Sequence, residues 1–363
     1  MLHQDRLARI RTQMRTGNVD VLGLPPGDDL FYLLGYSPHA DERPCYLLLS
    51  ATDGVFLVPE LNAGQARAHV DLPFLTYSDA EGPADTLKQA HDRLGSAGRL
   101  CVGDTMRADF LLLLQERWPK SAFVSGAHVM APVRMIKTAD EIALMKRSAA
   151  TADVAVDAAF AASRPGVTET VVARAVADTF AAQNVAHAGA AIVGGGPNSA
   201  YPHHASGNRP LQAGEAVLVD LGGRLEGYMS DITRMAYLGQ PPARYREVQE
   251  VVERAVRAGI DAVKPGAPLA AVDRAARKVI DDAGFGRYFT HRTGHGIGIT
   301  GHEPPSVTHT NEMSMREGMI FSVEPGIYLE GEFGVRLEEI VVVTAGGGER
   351  LSMLPREVRI LPG

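Results

Sequence analysis

Four carboxylates and one histidine carry the strongest chemical signal in the chain. Asp220 lies in AVLVDLGG and Asp231 in GYMSDITRMAY, two strand-like runs joined by a turn flanked by Gly223 and Gly227. If that hairpin closes symmetrically at Leu225 and Glu226, the two aspartates face each other across the strands. Facing carboxylates repel by roughly 4 kcal/mol at ~4 Å and an effective dielectric of about 20, so either a cation sits between them or one holds a proton. The same construction recurs in GMIFSVEPGIYLEGEFGVRLEEIVVV, where a hairpin turning at Gly331 brings Glu324 opposite Glu338. A single acidic pair on a strand is commonly a solvated face. Two pairs on apolar strands, where burial penalises a carboxylate, point to a buried cation site.

Between the pairs runs HRTGHGIGITGHEPP, which sets His291, His295 and His302 among glycines that let backbone approach a centre closely. Carboxylates joined by a neutral imidazole suit Mn²⁺, Co²⁺ or Zn²⁺, whereas Ca²⁺ and Mg²⁺ sites are normally all oxygen. Asp220, Asp231, His295, Glu324 and Glu338 suit a pair of divalent ions sharing carboxylates, the arrangement used to activate a water between them.

Such a site needs a frame. At 363 residues the chain exceeds the size at which one core keeps growing, so two domains are expected. The first third alternates β-rich runs (VDVLGL, RPCYLLLS, GVFLVPE, RLCVGD) with helical ones (LKQAHDRLG, ADFLLLLQERW), an α/β pattern without a dense cluster of ligand types. Near Ala131-Pro132 a new segment opens with a long helix, IKTADEIALMKRSAATADVAVDAAFAA, in which Thr138 and Glu141 form a capping box. The expected domains are therefore 1–131 and 132–363. The long helix ends at Arg164-Pro165-Gly166 and a second follows; a hundred residues on, REVQEVVERAVRAGIDAV ends at Lys264-Pro265-Gly266 and AAVDRAARKVIDDAG follows. Strand-like segments come next in each half. This predicts an internal duplication with helices packed on one curved antiparallel sheet, an α+β architecture.

Composition narrows the classes further. Hydrophobic residues at 45% and charged residues at 22% describe an ordinary globular protein, with no apolar run of bilayer length. A net charge of −7 argues against a nucleic-acid partner. The N-terminus MLHQDRLARIRTQMRTG carries charges where a signal peptide needs an apolar stretch, so a surface helix and a cytoplasmic protein are expected. Cys45 and Cys101 are too few for a disulfide framework and are expected to be reduced thiols.

The segments VDLGG, GYMSDITR, GHGIG, HEPP, GMIFSVEPGIY and GVRLEE resemble, in order and spacing, the proline-specific members of the pita-bread metallopeptidase family, the prolidases and aminopeptidases P. The resemblance covers the chain in motif detail from about Pro132 onward, while the first domain fits that family's N-terminal domain in size and class. It implies a pita-bread catalytic fold, a homodimer, and metal ligands Asp220, Asp231, His295, Glu324 and Glu338, with Asp231 and Glu338 bridging two ions. It places auxiliary histidines at His203, His291 and His302, and leaves His204 without a matching role. Arg336, two residues before Glu338, is expected to brace that carboxylate or the substrate. Tyr228 and Tyr328 are expected donors near the ligands and the substrate.

The implied reaction is hydrolysis of the peptide bond before proline: a water activated by two divalent ions, most plainly Mn²⁺, attacks the carbonyl. Glu324 would move the water's proton to the leaving nitrogen, and His302 would donate to the oxyanion. A small pocket near His203 and His291 would hold the proline ring. Methionine aminopeptidases share the ligand set but generally lack a preceding domain of this size and the extra histidines. Creatinase-like hydrolases lack the metal set, and a metal-free binding module would have no use for intact ligands. The choice between Xaa-Pro dipeptides and longer Xaa-Pro-Yaa substrates turns on a cation for the dipeptide's carboxylate. Some prolidases carry an arginine soon after the HE motif, but here the chain reads His302-Glu303-Pro304-Pro305-Ser306. Arg43 in ADERPCY is the expected substitute, reaching a neighbouring subunit's site, and Xaa-Pro dipeptides are the expected substrates.

Overall fold

In the computed structural model, which describes residues 2–187 and 189–363, the chain divides between Arg134 and Met135. The break expected at Ala131-Pro132 lies instead inside the helix Ala127–Arg134. Pro132 lacks the amide that would reach back to His128, and a short helix tolerates one such loss close to its end.

In the first unit the strands Val21–Leu24, Tyr46–Leu49 and Gly54–Pro59 are buried at every position. Apolar runs without alternation belong in the middle of a sheet covered on both faces. They form the centre of a six-stranded sheet that Phe74–Tyr77 closes on one side and Arg99–Val102 and Ala122–Ser125 on the other. Parallel and antiparallel pairings both occur, as an α/β unit with one hairpin requires. Cys45 and Cys101 are buried free thiols within it.

The second unit repeats itself. The helices Ala139–Ala162 and Glu169–Ala182 form one pair, and Ala243–Asp261 and Ala270–Asp282 the other. Each pair turns through a glycine in the left-handed region, Gly166 at φ 86° and Gly266 at φ 84°. Each turn is tied to a following segment by equivalent bonds: Gly166 N to the Leu211 carbonyl, Gly266 N to that of Met315. Three antiparallel strands follow in each half, Ile192–Gly195, Ala216–Leu221 and Ile232–Leu238, then Gly294–Gly296, Ile320–Val323 and Glu339–Thr344. Residues such as Val156, Phe160, Val176 and Phe180 from the first helix pair pack on Val193, Val219 and Ile232 of the sheet, all nearly or fully buried. The capping box forms as the sequence predicts: Glu141 N donates to Thr138 Oγ1, and Thr138 N to Glu141 Oε2.

The sheet differs from one continuous antiparallel surface in two respects. Arg359–Leu361 joins Ile232–Leu238 in parallel at one edge. The regular strands are also interrupted at Gly222, Ser230–Asp231, Glu324–Pro325 and Leu337–Glu338, beside or at three of the four acidic residues. Among the described residues, no helix is long and apolar enough to cross a membrane.

Candidate metal centre

The hairpin bearing the two aspartates turns at Glu226 and Gly227, both at positive φ (49° and 93°), as a two-residue connection demands. This lies one residue beyond the symmetric closure expected from sequence, and it changes the register. Asp220 pairs with Thr233, and the same register sets Asp231 level with Gly222. A Cβ at Gly222 would overlap the Ser230 carbonyl, so the strands cross there only because this residue has no side chain. The aspartates are thus diagonal neighbours. The second hairpin keeps the expected register on both sides of its break, with Val323 opposite Glu339 and Gly326 opposite Arg336, which leaves Glu324 across from Glu338.

The expected ligands converge. Ligand atoms of Asp220, Asp231 and Glu338 lie within 4.8 Å of one another, as do those of His295, Glu324 and Glu338, and those of Asp231, His295 and His302. Glu338 belongs to both carboxylate-rich groups. His295 reaches the cluster because a Cβ at Gly294 would collide with the Ser322 carbonyl; glycine there lets the two strands close up. Ser322 then bridges them, accepting from His295 N at 2.9 Å and donating to Glu324 Oε1 at 3.0 Å.

The surrounding side chains orient these groups. His295 Nδ1 donates to the Gly296 carbonyl at 3.1 Å, which turns Nε2 toward Glu324 Oε1 at 3.2 Å and Asp231 Oδ2 at 3.9 Å. Arg336 is fully enclosed. It donates to Asp220 at 2.5 Å, to the Thr233 hydroxyl at 3.1 Å and to the Tyr328 hydroxyl at 3.0 Å. The Thr233 hydroxyl in turn donates a hydrogen bond to Glu338 Oε2 at 2.8 Å. His291 Nδ1 donates to the Arg292 carbonyl at 2.7 Å, so its Nε2 accepts from Tyr328 at 2.8 Å, and both ring nitrogens are committed. The His302 ring lies against that of His295, centroids 4.0 Å apart.

Electrostatics separate the acids. Burial, then Asp220, pushes Asp231 well above the usual carboxylate range; burial, then Asp231, does the same to Glu338. Burial also raises Asp220, outweighing the opposing pull of Arg336. Glu324 is buried too, yet its bond to His295 holds it down at about 2. Burial alone would lower His295, but its bond to Glu324 raises it and pairs the two residues. Burial lowers both His291 and His302, keeping each imidazole neutral.

Among the described residues, Glu338 Oε1 is buried and has no hydrogen-bond partner. A carboxylate oxygen stripped of water and left unmatched is strongly unfavourable unless a cation meets it. That orphaned atom sits where two ligand groups meet, beside an imidazole whose free nitrogen points at the acids, and the donor set fits divalent metal. The cluster opens into a cavity of about 780 Å³ whose wall includes Ile192, Tyr201, His203, His291, Arg292 and His302.

Residues 143–345 match the metallopeptidase family M24, and residues 6–136 match the creatinase/prolidase N-terminal domain. The chain belongs to metallopeptidase family M24. The peptidase is 34% identical to the Xaa-Pro dipeptidase of Lactobacillus delbrueckii subsp. lactis, over 98% of this chain and 99% of the relative. The structure of dipeptidase PepE from Mycobacterium ulcerans superposes with a TM-score of 0.93 at 35% identity, covering 100% of this chain and 98% of that one. The prolidase from Thermococcus sibiricus superposes with a TM-score of 0.95 at 30% identity, covering 99% and 100%.

Three tyrosine and arginine expectations need revision or restatement. The Tyr228 hydroxyl donates to Glu141 at 2.5 Å, tying the hairpin to the long helix, and Tyr228 is not among the cavity-lining residues. Tyr328 likewise does not line the cavity; it acts through Arg336 and His291. Arg43 lies in the first unit, where it forks Asp79 and also pairs with Asp41 and Glu42.

Thr233, Ser322 and Arg292 were not singled out in the peptidase's sequence. Thr233 and Ser322 are fully buried polar residues inside apolar strands, each two positions from a ligand carboxylate, and that spacing was the available signal. Arg292 follows His291 in HRTGHG, and among the described residues its guanidinium makes one hydrogen bond, to the Ser306 hydroxyl at 3.0 Å.

Proposed function

We propose that this peptidase hydrolyses the bond before proline in Xaa-Pro dipeptides. Asp220, Asp231 and Glu338 would hold one divalent ion and Asp231, His295, Glu324 and Glu338 a second, with Asp231 and Glu338 shared. Bound there, such ions lower the pKa of a water toward neutrality and polarise the scissile carbonyl. Glu324, which His295 holds ionised against its burial, accepts the water's proton and returns it to the leaving nitrogen. His302, neutral and on the cavity wall, donates to the carbonyl oxygen as negative charge develops there. His291, with both nitrogens occupied, holds Tyr328 and through it Arg336, while Arg336 donates to Asp220 and aims its carboxylate.

The observation that carries the dipeptide reading is Arg292, a cation on the cavity wall with no carboxylate partner among the described residues. A dipeptide presents a free carboxylate after its proline, and a guanidinium is the natural partner for it. Arg43 is the weaker choice because three neighbouring acids already neutralise it. Relatives named Xaa-Pro dipeptidase and prolidase support the same substrate class. A carboxylate-rich set with one imidazole supports Mn²⁺, with Co²⁺ and Zn²⁺ as the alternatives; the family resemblance supports a homodimer, and the charged N-terminus supports a cytoplasmic protein. Cleavage of Xaa-Pro against Xaa-Pro-Yaa peptides with added Mn²⁺ tests the reading. Faster cleavage of the dipeptides supports it, and faster cleavage of the longer peptides makes the enzyme an aminopeptidase P.

A further inference from the structure

His204 has no role in the sequence pattern, and Glu169 stands in it only as a helix-initial acid. The structure joins them. Glu169 is the first residue of the helix Glu169–Ala182, a position where a carboxylate is favoured by the helix dipole but normally faces water. Here it is completely buried and turned away from its own helix. Its Oε1 accepts from Gly195 N at 2.9 Å and Asn198 Nδ2 at 2.8 Å, and its Oε2 accepts from His204 Nε2 at 2.8 Å and Gly207 N at 3.0 Å. These four donors bracket one stretch of chain: Gly195 and Asn198 precede Tyr201, Pro202 and His203, while His204 and Gly207 follow them.

The bracketed stretch faces the reaction. Tyr201, Pro202 and His203 line the cavity, and Tyr201 keeps half of its surface exposed there. The same stretch is pinned to the strand Phe333–Arg336, where Gly334 N donates to Ser199 Oγ at 2.9 Å and a Cβ at Gly334 would overlap the Ser199 carbonyl. A loop with exposed tips and no strand of its own would otherwise wander. A fully buried carboxylate with four donors is a stronger tether than helix initiation requires.

We propose that the Glu169–His204 pair is a positioning clamp that sets Tyr201 and His203 against the bound substrate. It rests on the reading of the cavity as the site of an Xaa-Pro peptidase. Glu169 and His204 touch neither the ligand cluster nor the substrate space; they act through the loop, so their loss should move substrate binding and leave the metals in place.

The test uses the Mn²⁺-loaded enzyme with His204→Ala, His204→Gln and Glu169→Gln. Metal content, amide exchange across residues 195–207, and KM and kcat on an Xaa-Pro dipeptide are measured for each. His204→Ala should keep the wild-type metal content, speed exchange at Gly207 and its neighbours, and raise KM about 10-fold, the scale of a lost charge-assisted bond, with kcat changing far less. His204→Gln, whose side-chain amide can still donate to Glu169, should recover most of the wild-type KM. Glu169→Gln should resemble His204→Ala. A KM unchanged in His204→Ala, or equal losses of stability in the alanine and glutamine variants without a KM difference, would overturn the clamp and leave a merely structural pair. If the wild-type enzyme leaves Xaa-Pro peptides uncut, the proposed function fails, while unaltered exchange in all three variants overturns the clamp independently.

Discussion

Thr233 donates its hydroxyl hydrogen to Glu338 Oε2 at 2.8 Å, while the other oxygen of the same carboxylate is buried without a hydrogen-bond partner among the described residues. One oxygen is thus oriented by the protein and the other reserved. Thr233→Val removes the orienting donor at nearly constant volume and should weaken Mn²⁺ binding about 10-fold to 100-fold, the usual range for outer partners of metal ligands. Thr233→Ser should retain it. Titration calorimetry with Mn²⁺ decides, and an unchanged affinity in the valine variant would mean the hydroxyl does not set the carboxylate.

Asp231→Ala and Glu338→Ala should each lose metal and activity together, since each is proposed to serve both ions. His302→Ala should keep its metals and lose turnover by about 10² to 10³, as when an oxyanion donor is removed. Elemental analysis beside kcat separates the two classes. Retention of two ions per chain by Glu338→Ala would remove it from the ligand set.

Protons and metal compete for the same acids. Asp231 and Glu338 have folded-state values raised above their ordinary 3.8 and 4.5, so without metal their contribution to stability is complete below those ordinary values. It is lost as pH rises toward the raised ones. The metal-free enzyme is therefore least comfortable at neutral and higher pH, where bound ions relieve the repulsion. The rise in Tm on adding Mn²⁺ should be larger at about pH 8 than at about pH 5.5, because at lower pH the ion must displace protons. A Tm gain that is flat across this range would contradict the proton-loaded cluster.

Arg292→Ala should raise KM for Xaa-Pro dipeptides about 10-fold to 100-fold, the scale of a charge-assisted hydrogen bond. Xaa-Pro-Yaa peptides, which lack a carboxylate at that place, should lose much less. Arg43→Ala should change dipeptide KM little. A larger effect at Arg43 than at Arg292 would return the cation for the dipeptide's carboxylate to the first unit.

Much of the site could be read from residue order. Glu324 and Glu338 were placed opposite each other correctly because their hairpin turns at Gly331 and side chains alternate with a period of two. Asp220 and Asp231 were placed slightly wrongly, since a turn at Glu226-Gly227 and one at Leu225-Glu226 read alike until backbone dihedrals choose. The diagonal arrangement that resulted opened the position across from Asp220 to Thr233, which then reached Glu338.

The sequence by itself determined the candidate ligand types, the duplicated helix pairs with their Pro-Gly turns, and the capped helix at Thr138, because each depends on neighbours close along the chain. The tertiary structure decided which ligand groups share Glu338, which acids ionise, and what holds Arg336, Tyr328 and His291 in line. It also gave His204 a partner 35 residues away in Glu169. Those outcomes depend on burial and on distances between segments far apart in sequence, and a strand pattern carries neither the depth at which a carboxylate lies nor the identity of the atom that meets it.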